Sequence, residues 1–204
     1  ADPDADRLGW EGGYWYNESV AVDESDGLND SELAAVVNRT MARVELIRGL
    51  EFEERVPVEV VLRSEFQRSQ SGGTTPASVR RFDNAKFEAL FMINESTESI
   101  GVQRTNSGVS VGGYYSPSQD RIVVVSDTET PTVDASTLAH ELVHGLQDQQ
   151  FDLSKVTSET RRGNNAVDGL VEGDANLVQY AFDRRCGAEW DCLGDGSGTT
   201  GASG

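Results

Sequence analysis

The only two histidines in this 204-residue chain stand in one short run, His140-Glu-Leu-Val-His144. On a helix, a four-residue interval puts both imidazoles on one face, one turn apart. From there both rings reach a single ion at about 2.0–2.1 Å, the Zn–N distance. Glu141 lies about 100° further round and projects to one side of such an ion. There a carboxylate can take a proton from metal-bound water, whose pKa falls toward about 7. Leu138, Leu142, Val143 and Leu146 lie on other sides of the helix and can bury it, which leaves the histidines facing a cleft. The same pattern arises by chance in helices that bind nothing. The amphipathic context and the lack of any competing histidine favour the metal.

A catalytic zinc site takes three protein ligands and keeps one position open. The metzincin extension requires Gly and His where this chain has Gln147 and Gln150, so that arrangement is excluded. The third ligand must then be a carboxylate, from among Asp148, Asp152, Glu159, Asp168, Glu172 and Asp174. Asp148 shares a face with His144 but sits a further turn from the ion. Glu172 interrupts an apolar run, Leu170-Val171-Glu172-Gly173-Asp174-Ala175, in which Gly173 and Ala175 would let two helices approach closely. The expected ligands are therefore His140, His144 and Glu172, with Glu141 as general base. Asp168 and Asn176 fall one turn either side of Glu172 and are candidates to fix an imidazole tautomer.

With these residues the chain resembles the gluzincin group of zinc metallopeptidases, in which a glutamate on a following helix completes the His-Glu-x-x-His pair. Glu172-Gly-Asp-Ala175 is similar to the sequence around that ligand in zinc aminopeptidases. The flanks from Leu138 to Gln149, with Phe151 and Leu153, resemble secreted bacterial and archaeal zincin-like proteins. The resemblance covers about residues 108–183. It implies an α+β, zincin-like single domain, with a small mixed or antiparallel sheet packed on the metal-bearing helix and the glutamate-bearing helix after it. It also implies one Zn2+ per chain, peptide or protein substrates, and a rim strand that pairs with extended substrate, either Ile122–Val125 or its partner Val109–Tyr115. One departure is the gap of 27 residues between His144 and Glu172, longer than in the relatives it resembles. Another is the missing oxyanion donor, which such chemistry ordinarily needs. Tyr180, Tyr114 and Tyr115 are in range, and each fits core packing better than catalysis.

The elements that must position these residues follow from periodicity. Asn29 and Glu32 form a capping box ahead of a helix with Leu33, Val37, Met41, Val44 and Ile47 on one side, ended by Gly49. Val56 to Leu62 alternates as a half-buried strand does. Thr75 and Pro76 open a second helix carrying Val79, Phe82, Phe87, Leu90 and Phe91. Val109–Tyr115, a turn at 116–120 and Ile122–Val125 read as a hairpin. Asp134 caps the histidine helix, which runs to about Gln150. Residues 153–164 read as irregular, and a fourth helix spans about Ala166 to Asp183. The expected divisions are an acidic, aromatic-containing arm over 1–29, the zincin-like domain over 30–185, and a Cys-containing loop with a disordered tail over 186–204.

Composition bounds the partners. The net charge is −18, from 35 acidic against 17 basic side chains. That field repels phosphate, so nucleic acid and anionic membrane are disfavoured. Only Lys86 and Lys155 are lysines, and an acidic, lysine-poor surface suits very high salt, where repulsion is screened. No transmembrane segment is evident. Sequons at Asn17, Asn29, Asn38 and Asn94, together with the close pair Cys186 and Cys192, fit an exported protein. The expected setting is therefore outside, or at the surface of, a halophilic archaeal cell. Two rivals to a zinc metallopeptidase are an inactive or latent zinc-binding scaffold acting as an extracellular binding module, and a surface protein whose His-Glu-His pattern is incidental.

Overall fold

A computed structural model describes residues 3–71 and 74–193. The expected tail at 194–204 lies outside the described residues. In chain order the elements are β1 (Trp10–Glu11), β2 (Tyr14–Trp15), α1 (Asp30–Arg48), β3 (Val58–Leu62), α2 (Arg63–Ser71), α3 (Ala77–Ala89), α4 (Ser99–Ser110), β4 (Gly113–Ser116), β5 (Arg121–Ser126), α5 (Ala135–Phe151) and α6 (Arg161–Asp183). This is an α+β arrangement, with a two-stranded sheet β1-β2 and a three-stranded sheet in the order β3-β5-β4. No described helix is long and apolar enough to cross a membrane.

Contacts divide the chain into two compact units. The larger takes residues up to Glu59, Gly113–Val124 and the chain from Thr130 onward; the smaller takes Val60–Gly112 and Val125–Glu129. In the smaller unit α4 meets both α2 and α3. Neither α2 nor α4 is predicted by the sequence pattern. Val109 and Ser110 end α4 instead of opening a strand, so the hairpin is shorter than expected, with Gly113 to Ser116 facing Val124 to Arg121 in antiparallel register. The helix expected from Pro76 is present as α3, with Pro76 itself at the cap and no side-chain hydrogen bond there.

In the larger unit α1 is the central post, in contact with α5, α6, β1 and β2. Its ends are those the sequence predicts. Asn29 Oδ1 accepts from Ser31 N and Glu32 N at 3.0 and 3.1 Å, Glu32 Oε2 accepts from Asn29 N at 3.0 Å, and Gly49 takes the left-handed conformation at φ 72°. Between these ends α1 is buried round its whole circumference from Ala35 to Glu45. The expected N-terminal arm is a tight hairpin: Trp10 and Glu11 pair with Trp15 and Tyr14 through a turn in which Gly12 and Gly13 have φ of 51° and 95°. Asn38, one of the sequon asparagines, is buried inside α1 and donates to Gly12 O at 3.2 Å.

Three charged side chains of α1 are sunk into this core. Arg39 and Arg43 reach Asp191 Oδ1 at 2.9 and 3.1 Å, and the Arg43 guanidinium lies 4.9 Å from the Trp190 ring centroid. Asp191 sits within the loop closed by the Cys186–Cys192 disulfide, so the buried arginines hold that loop to α1. Glu45, fully buried, accepts from Gly9 N and Phe52 N, each at 2.9 Å.

Glu45 also meets the buried Glu11. Burial, followed by the neighbouring Glu45 charge, raises the Glu11 carboxyl well above the ordinary carboxylate range, and burial raises Glu45 as well. An acid whose folded pKa is raised contributes stability that is complete below its unfolded pKa and is lost as pH rises through the folded one. Wild type should therefore lose stability relative to Glu11→Gln between about pH 5 and about pH 8. The gap in Tm should widen by roughly 2–4 °C, the equivalent of about 1 kcal/mol for a chain of this size. Thermal melts of both proteins across that range check this, and parallel Tm curves would contradict it.

Candidate metal centre

The histidine-bearing helix α5 is held at both ends and on two sides. Asp134 Oδ1 caps α5 by accepting from Thr137 N at 2.7 Å. Leu138, Ala139, Leu142, Val143 and Leu146, each at most 2% exposed, form its buried back, and this burial outweighs any local preference of the sequence. Gly145 allows close approach on the strand side. A Cβ there would stand 2.9 Å from Val56 Cγ2 and 3.5 Å from Tyr115 Cε2. At the far end Asp152 takes a left-handed conformation at φ 54°, and its N–H bonds Asp148 O at 2.7 Å.

His140 and His144 share one face of α5 with ring centroids 4.9 Å apart. Their Nε2 atoms are 3.2 Å from each other. Glu172, from α6, places Oε2 3.3 Å from His140 Nε2 and Oε1 3.7 Å from His144 Nε2. One ligand atom from each of these three residues lies within 4.8 Å of the others. Of the remaining acidic candidates, Asp148 accepts from the Tyr115 hydroxyl at 2.8 Å and from Leu153 N at 2.8 Å. Asp174 accepts from Gln147 at 2.9 Å and pairs with Arg48 at 3.0 Å.

Hydrogen bonding assigns the His144 tautomer. Gln147 Nε2 donates to Val171 O and Asp174 Oδ2 at 3.0 and 2.9 Å, so its amide oxygen is the atom facing the ring, 3.0 Å from His144 Nδ1. His144 Nδ1 therefore carries the hydrogen and donates, and its Nε2 presents a lone pair. The Gln179 amide bridges His140 Nδ1, at 3.1 Å, and Ser136 Oγ, at 3.0 Å, and so orients the His140 ring. Two ring nitrogens and a carboxylate converge, a mixed nitrogen and oxygen set that a divalent transition metal accepts.

Glu141 stands beside this cluster. Its Oε2 accepts from Tyr115 N on β4 at 2.9 Å. Burial, the largest influence, raises its pKa; the bond from Tyr115 N and the neighbouring histidines oppose the rise. β4 is the edge strand of its sheet and β5 the middle one, so of the two rim strands considered, β4 has the free edge.

The structure places the other expected site residues away from the imidazoles. Asp168 and Asn176 are exposed on α6, and the side chains that hydrogen-bond the rings are Gln147 and Gln179. Tyr180 is 59% exposed, with its hydroxyl 3.4 Å from Arg184 NH1. The Tyr115 hydroxyl lies between Asp120 Oδ1 at 2.7 Å and Asp148 Oδ2 at 2.8 Å. Ala175 is fully buried at the α5 side of α6, whereas a Cβ on Gly173 would meet nothing within 4 Å, so only Ala175 serves close packing. Helix α6 starts at Arg161, five residues before the expected start, because the Thr160 hydroxyl caps it by accepting from Gly163 N at 3.0 Å. Gln147 could have been found from its place three residues after His144, on the adjoining turn. Gln179 could have been found as the polar residue two turns beyond Glu172.

No protein-family model, curated protein or solved structure matches this chain.

Proposed function

We propose that this protein is a zinc-dependent peptidase of gluzincin-like design, with one zinc ion held by His140, His144 and Glu172 and with Glu141 as general base. The observation that carries this reading is the convergence of two imidazole nitrogens and one carboxylate within 4.8 Å, with both Nδ1 atoms held by glutamines. A paired-imidazole set favours zinc over magnesium or calcium, which take oxygen ligands. Zinc, when bound, supplies Lewis acidity that polarises a scissile carbonyl and acidifies water.

The protein's own groups supply the rest. Tyr115 N holds Glu141 Oε2, which leaves Oε1 to receive the proton of the attacking water and pass it to the leaving amine nitrogen. The free edge of β4 offers backbone groups to an extended peptide. The Cys186–Cys192 disulfide and the acidic, lysine-poor composition support action outside a halophilic cell.

A second reading, a zinc-binding scaffold without turnover, is favoured by the tyrosines. Tyr115 is committed to two aspartates and Tyr180 points to solvent beside Arg184, so neither is poised to stabilise an oxyanion.

Purified wild type should carry about one zinc per chain, and Glu172→Ala should lose most of it by elemental analysis. Gln179→Leu should keep the site but weaken zinc affinity by roughly 10- to 100-fold in a chelator competition, because the His140 ring is no longer held. Glu141→Gln should retain zinc and lose about 10²- to 10⁴-fold in kcat/KM on a peptide library. Zinc-loaded wild type that cleaves no peptide would leave the scaffold reading standing. A protein that takes up no metal when supplied with zinc would overturn both.

A further inference from the structure

Next to the candidate metal centre, a groove of about 550 Å³ runs between α6 and the segment that follows α5. Leu153, Val156, Val167 and Val171 give it apolar walls, and it carries two carboxylates, Asp168 and Glu172. Glu172 belongs to the metal cluster, so one end of the groove opens on the proposed reaction centre. Asp168 lies four residues earlier on the same helix, about 6 Å along its axis.

Ser158, another polar residue of the groove, is engaged within its own loop. Ser158 N donates to Asn164 Oδ1 at 2.8 Å, and Ser158 Oγ is 3.3 Å from Thr160 Oγ1. Asp168 is exposed and, among the described residues, makes no ion pair or hydrogen bond. Among the described residues no Lys or Arg lines the groove. Lys155, on the adjoining turn, is engaged with Asp152. The groove thus combines an aliphatic channel with one unpaired carboxylate about one helical turn from the metal ligand.

A ligand complementary to that shape has a flexible apolar stem ending in a positive charge. Lysine and arginine side chains are built this way, with methylene stems that lie along apolar surface while the head seeks an anion. A purely aliphatic side chain would leave Asp168 uncompensated beside it, and an acidic one would meet like charge on a chain of net charge −18.

We propose that this groove receives the lysine or arginine side chain of a peptide substrate, its stem between Val167, Val171, Leu153 and Val156 and its cation on Asp168, a specificity that rests on the peptidase reading of the adjoining centre. Asp168 is in this role a binding residue that sets which peptides are presented to Glu141.

Binding can be measured apart from turnover. Fluorescence anisotropy of the full, zinc-loaded Glu141→Gln chain would compare labelled, otherwise neutral peptides with a single central lysine, arginine, norleucine or glutamate. Lysine and arginine peptides should bind about tenfold more tightly than the norleucine peptide, the difference of one charge-assisted contact. Asp168→Asn in the same background should erase that preference with zinc content unchanged, and Asp168→Lys should transfer it to the glutamate peptide. Equal binding of lysine and norleucine peptides, or a preference untouched by Asp168→Asn, overturns the proposal. A lysine preference that depends on Asp168, in a protein whose wild type cleaves nothing, upholds the groove and removes only the peptidase reading.

Discussion

Whether Glu172 faces the imidazoles depends on the register of α6 against α5, and one side chain sets that register. Gln147 uses its amide oxygen on His144 Nδ1 and its amide hydrogens on Val171 O and Asp174 Oδ2. A slip of one residue along α6 would turn Glu172 about 100° away from the cluster and leave the amide hydrogens of Gln147 without partners in a buried position. An unmet buried donor costs about 1–3 kcal/mol. The constraint extends into the core, because Asp174 is also paired with Arg48 at the end of α1. His144, Gln147, Asp174 and Arg48 thus form one chain of contacts across three helices. Glu172, 57% exposed on the outer part of α6, is positioned through this chain and not by its own burial.

The same helix α1 accounts for the rest of the larger unit. Buried charges are costly unless paired and hydrogen-bonded, and breaking one partner away costs about 3–5 kcal/mol. Arg39 and Arg43 meet that requirement by sharing Asp191, with Arg43 also donating to the carbonyl oxygens of Tyr16 and Asp191 at 2.8 Å each. The arrangement admits few alternatives: the loop bearing Asp191, closed by the disulfide, has to return to α1 at this height. Trp190, stacked by Arg43 and edge-on to Phe182 of α6, ties the loop to the helix that carries Glu172. The polar interior of α1 therefore fixes where α6 ends, as Gln147 fixes how it is turned.

What could be read from the sequence divides along physical lines. The caps at Asn29, Gly49 and Asp134, the strand at Val58–Leu62, the pairing of Cys186 with Cys192 and the meeting of Glu172 with the two histidines were all legible, because each depends on local periodicity or on donor chemistry that few residues possess. The helices α2 and α4 were not. Arg63–Ser71 is almost wholly polar and Ser99–Ser110 contains glycine and β-branched residues, so neither shows an apolar stripe, and tertiary contact decides their state. The start of α6 was hidden in Arg-Arg-Gly-Asn-Asn, a poor helix sequence sustained by the Thr160 cap. The imidazole partners were misjudged for a different reason. Asp168 and Asn176 lie on the right helix turns, but helical spacing alone does not fix which way a turn faces across an interface. The long amides of Gln147 and Gln179 reach the rings where those shorter side chains, exposed on α6, do not.

One helix serves two purposes at the proposed site, and salt separates them. At molar ionic strength the Debye length is about 3 Å, so a net charge of −18 exerts almost no pull on a distant cationic peptide. Steering by the overall field, which raises encounter rates at low salt, is then lost. Contact between a cation and a carboxylate at the end of an apolar groove survives, because the ions that screen are excluded from the contact itself. Under the proposal above, selection of a basic side chain in such a medium rests on a close anion with no partner among the described residues, at a fixed distance from the proposed centre. Asp168, carried by the same helix as Glu172 and one turn away from it, meets that requirement. Any change that rotates α6 must move Glu172 and Asp168 together.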